Sequence, residues 1–255
     1  MRLIRGVARR MLDAFGYRIL PTAKANSQGL PPDFSPQMVE LFRAIQPFTM
    51  TSPERVGSLV NAVEYVVHNG IAGEIVECGV WRGGSMMAVA HTLTRLRHTK
   101  KDLLLFDTFD GMPPAGAVDR DLRGNAAADL MRTQDRSTSL VWGVAQLDEV
   151  RSNMHSTQYP IDKIKLIKGR VEDTIPLKAP EQISLLRLDT DWYESTKHEL
   201  VHLFPKLSAG GVLIVDDYGH WEGARRAVDE YIDELQLRIL LCRIDYTGRV
   251  AVKQT

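Results

Sequence analysis

Cysteine is nearly missing from this chain. Only Cys78 and Cys242 occur in 255 residues, which excludes a disulfide-stapled fold. Each falls inside a predicted strand, so both are expected to be buried, reduced thiols in a protein of the reducing cytoplasm. An excess of one charge is missing too, since Lys+Arg and Asp+Glu both number 32. Bulk binding of nucleic acid leaves a basic footprint, so no nucleic-acid partner is expected. No apolar run is long enough to span a bilayer. The seven histidines show no metal-ligand spacing. Neither the Walker phosphate-binding pattern nor the Gly-x-Gly-x-x-Gly dinucleotide fingerprint is present.

What is present divides the chain in two. Residues 1–45 read as a basic amphipathic helix and a linker. Arg2, Arg5, Arg9, Arg10 and Arg18 alternate with Leu3, Ile4, Val7, Met11, Leu12 and Phe15, without the continuous apolar core of a signal peptide. Such a helix suits an oligomer arm, packing on the domain, or weak contact with a membrane surface. Residues 46–255 carry a repeated β-α pattern. Predicted strands are 74–78, 103–106, 164–167, 183–188 and 212–215, with helices between them. A terminal hairpin, 239–245 with 249–252, turns at Thr247-Gly248. The expected fold is therefore α/β: a Rossmann-like, mostly parallel seven-stranded sheet with a C-terminal antiparallel hairpin and an N-terminal helical extension. The polar stretch at about 110–143 is too long for a bare connector and is expected to form a mobile lid with some helix inside it.

Two acidic clusters close two successive hydrophobic strands: Asp189 and Asp191 after Ile183–Leu188, and Asp216 and Asp217 after Val212–Val215. In an open α/β sheet, ligands bind at the carboxyl ends of the strands, and neighbouring strands lie about 4.8 Å apart. Two unit charges about 5 Å apart repel by roughly 3 kcal/mol at an effective dielectric near 20. Such a cluster needs a cation, protons or basic partners. Oxygen donors suit Mg²⁺, Ca²⁺ or Mn²⁺, which points to a divalent-metal site. Arg187, inside the first of these strands, is expected to neutralise an acid.

A glycine-rich turn, Glu77-Cys-Gly79-Val-Trp-Arg-Gly83-Gly84-Ser85, leaves the first strand and enters a helix. Gly79 permits a tight turn, and Gly83 and Gly84 let backbone approach a ligand. Asp107 closes the next strand, where a ribose-binding carboxylate belongs.

These features resemble a class I S-adenosylmethionine-dependent methyltransferase and, more narrowly, the macrocin O-methyltransferase family, which methylates sugar hydroxyls on macrolides and related natural products. The matching stretches are 77–85, Phe106-Asp-Thr-Phe-Asp-Gly-Met-Pro113, 166–176, Leu188-Asp-Thr-Asp-Trp-Tyr-Glu-Ser-Thr196 and Val215-Asp-Asp-Tyr-Gly-His-Trp221. The resemblance implies Mg²⁺-dependent methyl transfer from S-adenosylmethionine to a sugar hydroxyl, a sugar-bearing small molecule or glycan as acceptor, and a homo-oligomer. It implies Asp189, Asp216 and Asp217 as metal ligands and Asp191 as general base, with the roles of Asp189 and Asp191 open to exchange. His220 is a candidate for substrate contact or proton transfer. Thr51, Glu77, Gly79, Gly83, Ser85, Asp107 and Glu172 are the expected cofactor contacts, with Arg55 a candidate beside Thr51. Trp192 and Tyr193 are expected to pack in the core rather than stack on a sugar. Two alternatives stand beside this reading: methylation of a catechol or other vicinal diol, and a cofactor-binding assembly protein without catalysis.

Overall fold

The computed structural model describes residues 29–136 and 138–254. The basic N-terminal helix expected at 1–20 lies outside the described residues. The main compact unit runs from Pro36 to Thr255. It thus takes in helix α1, Pro36–Ile45, ten residues before the boundary expected at 46.

Helix α2, Pro53–His68, starts as its sequence dictates. Ser52 caps it, its hydroxyl accepting from the Arg55 N–H at 3.2 Å, with Pro53 at the first helical position. Val56, Leu59, Val60, Val63 and Val66 form its buried stripe. From here β1 (Glu74–Cys78), α3 (Gly84–Arg95) and β2 (Leu103–Asp107) alternate. Helices α4 (Ala127–Thr133) and α5 (Leu147–Ser156) precede β3, Ile164–Lys168. A single turn, α6 (Val171–Thr174), leads to β4 (Ile183–Leu188) and α7 (Tyr193–Leu203). The chain ends with β5 (Leu207–Val215), α8 (Glu222–Glu234), β6 (Cys242–Arg243) and β7 (Arg249–Val252). No described helix is long and apolar enough to cross a membrane.

The seven strands form one sheet in the order β3-β2-β1-β4-β5-β7-β6. Strands β1 to β5 pair in parallel, while β7 runs antiparallel to β5 and β6 antiparallel to β7. Strand order reverses between β1 and β4, which opens a ligand crevice at their carboxyl ends. Alternation along the strands splits their side chains between two layers. Cys78, Phe106, Leu186, Leu188, Leu213 and Val215 pack with Leu200, Leu203, Phe204, Val228 and Tyr231 on one face. Ile75, Leu105, Leu185 and Ile214, at alternate positions, are buried on the other.

Three expectations need correction. β5 begins at Leu207, so Ala209-Gly210-Gly211 lie within it instead of ahead of it. β6 is two residues long, and the apolar run 239–241 precedes the ladder. Cys242 is therefore exposed at the sheet edge, whereas Cys78 is buried.

Gly79 ends β1 at φ +80°, and a Cβ there would lie 2.0 Å from the Asp189 carbonyl oxygen. Gly79→Ala is expected to lower the unfolding free energy by about 2–4 kcal/mol in urea denaturation. An unchanged midpoint would show that the β1 and β4 ends can separate without loss.

Candidate functional site

Three backbone bonds bring the ends of four strands, β2, β1, β4 and β5, together. The Gly79 N–H donates to the Phe106 carbonyl at 2.9 Å, that of Asp189 to Cys78 at 2.8 Å, and that of Asp216 to Leu188 at 2.9 Å. Glu77 and Arg187 are register partners, as are Arg187 and Ile214. Side chains two apart share a face, so Glu77, Arg187, Asp189 and Asp216 project to the same side.

Arg187 is 2% exposed and joins them. Its guanidinium donates to Glu77 at 2.6 Å, Asp189 at 2.7 Å, Asp216 at 2.5 Å and the Thr51 hydroxyl at 3.1 Å. Burial works against its charge, but Asp189, Asp216 and Glu77 outweigh it and hold the guanidinium ionised. The Glu77 carboxyl is pushed up to about 8 by burial, which exceeds the opposing pull of Arg187. Its Oε2 is buried without a partner.

Asp216 has a second cation. Arg55, in the first turn of α2, ion-pairs with it and with Asp245 at 3.1 Å. Ser52 also donates to Asp245, at 2.8 Å. The remaining acids form a tighter group: ligand oxygens of Asp189, Asp191 and Asp217 lie within 4.8 Å of one another. Asp191 sits at φ +66°, a left-handed conformation that Asp tolerates better than most residues. No Lys or Arg ion-pairs with Asp191 or Asp217 among the described residues. Burial, and then repulsion from Asp189 and Asp216, pushes the Asp191 carboxyl up to about 7 despite a hydrogen bond with Asp217. The Asp189 side chain keeps 25% exposure, so the cluster opens to solvent.

Two adjoining cavities meet here. One, lined by Thr51, Arg55, Ser85, the four aspartates and His220, has a volume of about 360 Å³, within the range of small-molecule sites. The other follows the glycine turn past Gly79, Trp81, Phe106, Asp107, Glu172 and Ser195. Met50, Trp81, Leu140, Asp189 and Asp191 border both.

The expected residues are thus distributed unevenly. Gly79, Asp107 and Glu172 line the glycine-turn cavity. Thr51 and Ser85 line the acidic one, and Glu77 and Gly83 line neither. Gly83 adopts φ +90° before α3, and its neighbour Gly84 has no room for a Cβ against the Phe48 carbonyl at 2.5 Å; these two glycines serve the turn and its packing. The Asp107 carboxylate accepts the N–H groups of Val80 at 2.6 Å, Trp81 at 3.1 Å and Phe109 at 2.7 Å, so it shapes the turn itself. His220 is half-buried beside Trp221, its rings 4.9 Å from that indole, and burial lowers its affinity for a proton. Trp192 is 2% exposed and packs on Trp221, as core packing requires. Sequence reasoning missed the Arg55–Asp216 pair, which joins residues 161 positions apart, and the buried Asp119.

The segment 110–143 is seated on the acid-bearing loops. Ala127 and Met131 of α4 pack with Trp192, Trp221 and Ala224. The Trp192 indole N–H donates to the Pro113 carbonyl at 3.0 Å.

The family described as Macrocin-O-methyltransferase (TylF) matches residues 41–253. The chain is 33% identical over 221 residues, 85% of its length and 80% of the relative's, to the 8-demethyl-8-(2,3-dimethoxy-alpha-L-rhamnosyl)-tetracenomycin-C 4'-O-methyltransferase of Streptomyces olivaceus. It is 32% identical over 200 residues, 78% of its length and 73% of the relative's, to the demethyldecarbamoylnovobiocin O-methyltransferase of Streptomyces niveus. Among solved structures, the O-methyltransferase NovP superposes with a TM-score of 0.71 at 31% identity, covering 82% of this chain and 83% of NovP.

Two outcomes follow from the electrostatics. Arg187→Met strands buried carboxylates and is expected to cost about 3–5 kcal/mol in chemical denaturation. The raised Asp191 carboxyl binds its proton more tightly in the folded chain than in the unfolded one. Its contribution is full below about pH 4, where both forms are protonated, and is lost as pH rises to about 7. In EDTA-treated protein, Asp191→Asn should therefore gain thermal stability relative to the parent across pH 4–7. A constant difference over that range would refute the shift.

Proposed function

On the premise that the chain belongs to the macrocin O-methyltransferase family and is an S-adenosylmethionine-dependent O-methyltransferase, we propose that it methylates a sugar hydroxyl of a glycosylated natural product or glycan with the help of a divalent cation, Mg²⁺. The observation that carries this reading is the shared wall of the two cavities. Asp189 and Asp191 border both the glycine-turn space and the acidic space, so a methyl donor in one and an acceptor oxygen in the other would meet beside them. The relatives' names support the sugar: one is a 4'-O-methyltransferase of a rhamnosyl-tetracenomycin, another a mycinamicin III 3''-O-methyltransferase from Micromonospora griseorubida.

The cluster fits a hard divalent ion, since Asp189, Asp191 and Asp217 offer only oxygen and no Lys or Arg ion-pairs with Asp191 or Asp217 among the described residues. Asp189, Asp216 and Asp217 are the proposed ligands. A carboxylate offers about four lone-pair directions, and the two guanidiniums on Asp216 leave some of them free. When bound, the ion would ease ionisation of the acceptor hydroxyl. Asp191 takes the proton, because its raised affinity places it near the working pH of a general base. Gly79 lines the donor cavity, its missing Cβ making room for the Asp189 carbonyl beside it. Met50, Trp81 and Leu140 flank the reacting space. His220 faces the acceptor side.

A second reading exchanges Asp216 for Asp191 in the ligand set, favoured by the 4.8 Å grouping of Asp189, Asp191 and Asp217. Mn²⁺ titration separates the two: loss of affinity in Asp216→Asn supports the first, loss in Asp191→Asn the second. EDTA is expected to abolish methyl transfer and Mg²⁺ to restore it. Asp191→Asn is expected to lower kcat by about 10²–10⁴-fold while S-adenosylmethionine still binds. Product mass spectrometry on a panel of glycosides and vicinal diols tests the acceptor. Full activity in metal-free protein would end the metal assignment, and methylation confined to catechols would end the sugar assignment.

A further inference from the structure

Helix α7 begins two residues after Asp191, yet it has no side-chain cap of its own. Its N-cap residue is Trp192, whose side chain makes no capping bond. The first turn of a helix leaves N–H groups without partners and favours a negative charge. Here the acceptor comes from 74 residues away. Asp119 is 1% exposed, and its Oδ1 accepts the Tyr193 N–H at 2.8 Å. Its Oδ2 accepts the Gly116 N–H at 2.7 Å, and its carbonyl accepts from Ala127 at 2.8 Å, where α4 begins.

The same carboxylate touches the second acid-bearing element. A Cβ on Gly223, in the first turn of α8, would stand 1.8 Å from Asp119 Oδ1. Only glycine at this position leaves room for the carboxylate. Before Asp119 the segment meets the first loop, where the Pro113 carbonyl accepts from Trp192; beyond Asp119 it meets the second. The Glu222 N–H donates to the Arg120 carbonyl at 2.8 Å, and Asp121 pairs with Trp221 in an antiparallel bridge. One loop carries Asp189 and Asp191; the other carries Asp216 and Asp217.

We propose that Asp119 is a positioning residue of the acid cluster: it caps α7, fits against Gly223 of α8, and thereby clamps the segment 110–143 onto both loops so that Asp191 and Asp217 stay turned to one cavity. The role rests on the reading that this cluster holds a divalent ion. Groups that orient metal ligands from behind typically change affinity by about 10–100-fold when removed.

The test compares parent, Asp119→Ala and Asp119→Asn proteins by Mn²⁺ binding, tryptic cleavage after Arg120 and Arg123, and tryptophan fluorescence from Trp192 and Trp221. Asp119→Ala is expected to weaken Mn²⁺ binding at least about tenfold, speed cleavage by a similar factor and shift the emission to the red. Asp119→Asn keeps an acceptor for Tyr193 and should recover most of each change. Should Asp119→Ala fail to fold, Gly223→Ala displaces the same carboxylate and is read the same way. Parent-like Mn²⁺ affinity with parent-like cleavage in Asp119→Ala would overturn the proposal, as would an Asn variant no better than Ala. If the parent itself binds no Mn²⁺, the metal reading falls. Cleavage and fluorescence then decide the clamp alone: faster cleavage reversed by Asn supports it, and unchanged cleavage overturns it.

Discussion

The buried guanidinium of Arg187 is the interaction on which the site depends. It lies in the middle of a parallel sheet, at a strand position where an apolar residue would normally pack. Removing an ion from water costs several kcal/mol even after relaxation. That cost is offset because three carboxylates and a hydroxyl converge on it. Each comes from a different place: β1, the end of β4, the end of β5 and the lead-in to α2. The ion network therefore fixes the relative positions of the segments that form both cavities. It also divides the acids into two kinds. Glu77 and Asp216 are paired with Arg187, whereas no Lys or Arg ion-pairs with Asp191 or Asp217 among the described residues.

Arg55 extends this division outward. It reaches Asp216 from the far side and is itself held by Asp245 in the terminal hairpin turn. The Thr247 hydroxyl of that turn donates to the Asp216 carbonyl at 2.8 Å. The hairpin thus does more than complete the sheet: its turn buttresses the loop that carries the second acidic pair. The antiparallel addition, which departs from a simple nucleotide-binding sheet, has a local structural consequence at the site.

The glycine turn follows a different logic from that of the dinucleotide fingerprint. Asp107 folds it by accepting three main-chain N–H groups, and Gly79 lets β1 and β4 approach closely. Gly83 takes the left-handed φ of +90° that leads into α3, and Gly84 meets a packing requirement against the Phe48 carbonyl. One run of small residues thus serves conformation, strand approach and helix packing at separate positions.

The sequence by itself determined the sheet, the strand ends and the acids that close them. Strand periodicity and chain order act over a few residues, so Glu77, Gly79, Asp189, Asp191, Asp216 and Asp217 could be placed at strand ends without coordinates. The family was legible for the same reason, because its motifs are contiguous. Only the tertiary structure decided which acids are neutralised, since Arg55 and Asp216 lie 161 positions apart and no local pattern links them. It alone made Asp119, an unremarked acid in a polar stretch, the cap of a helix 74 positions on. It also left Cys242 in the open: the hairpin pairs over two residues of β6, and an apolar run does not reveal which of its neighbours will gain a partner strand. Local chemistry sets conformation within a segment, but charge compensation and burial depend on what another segment brings to the same place.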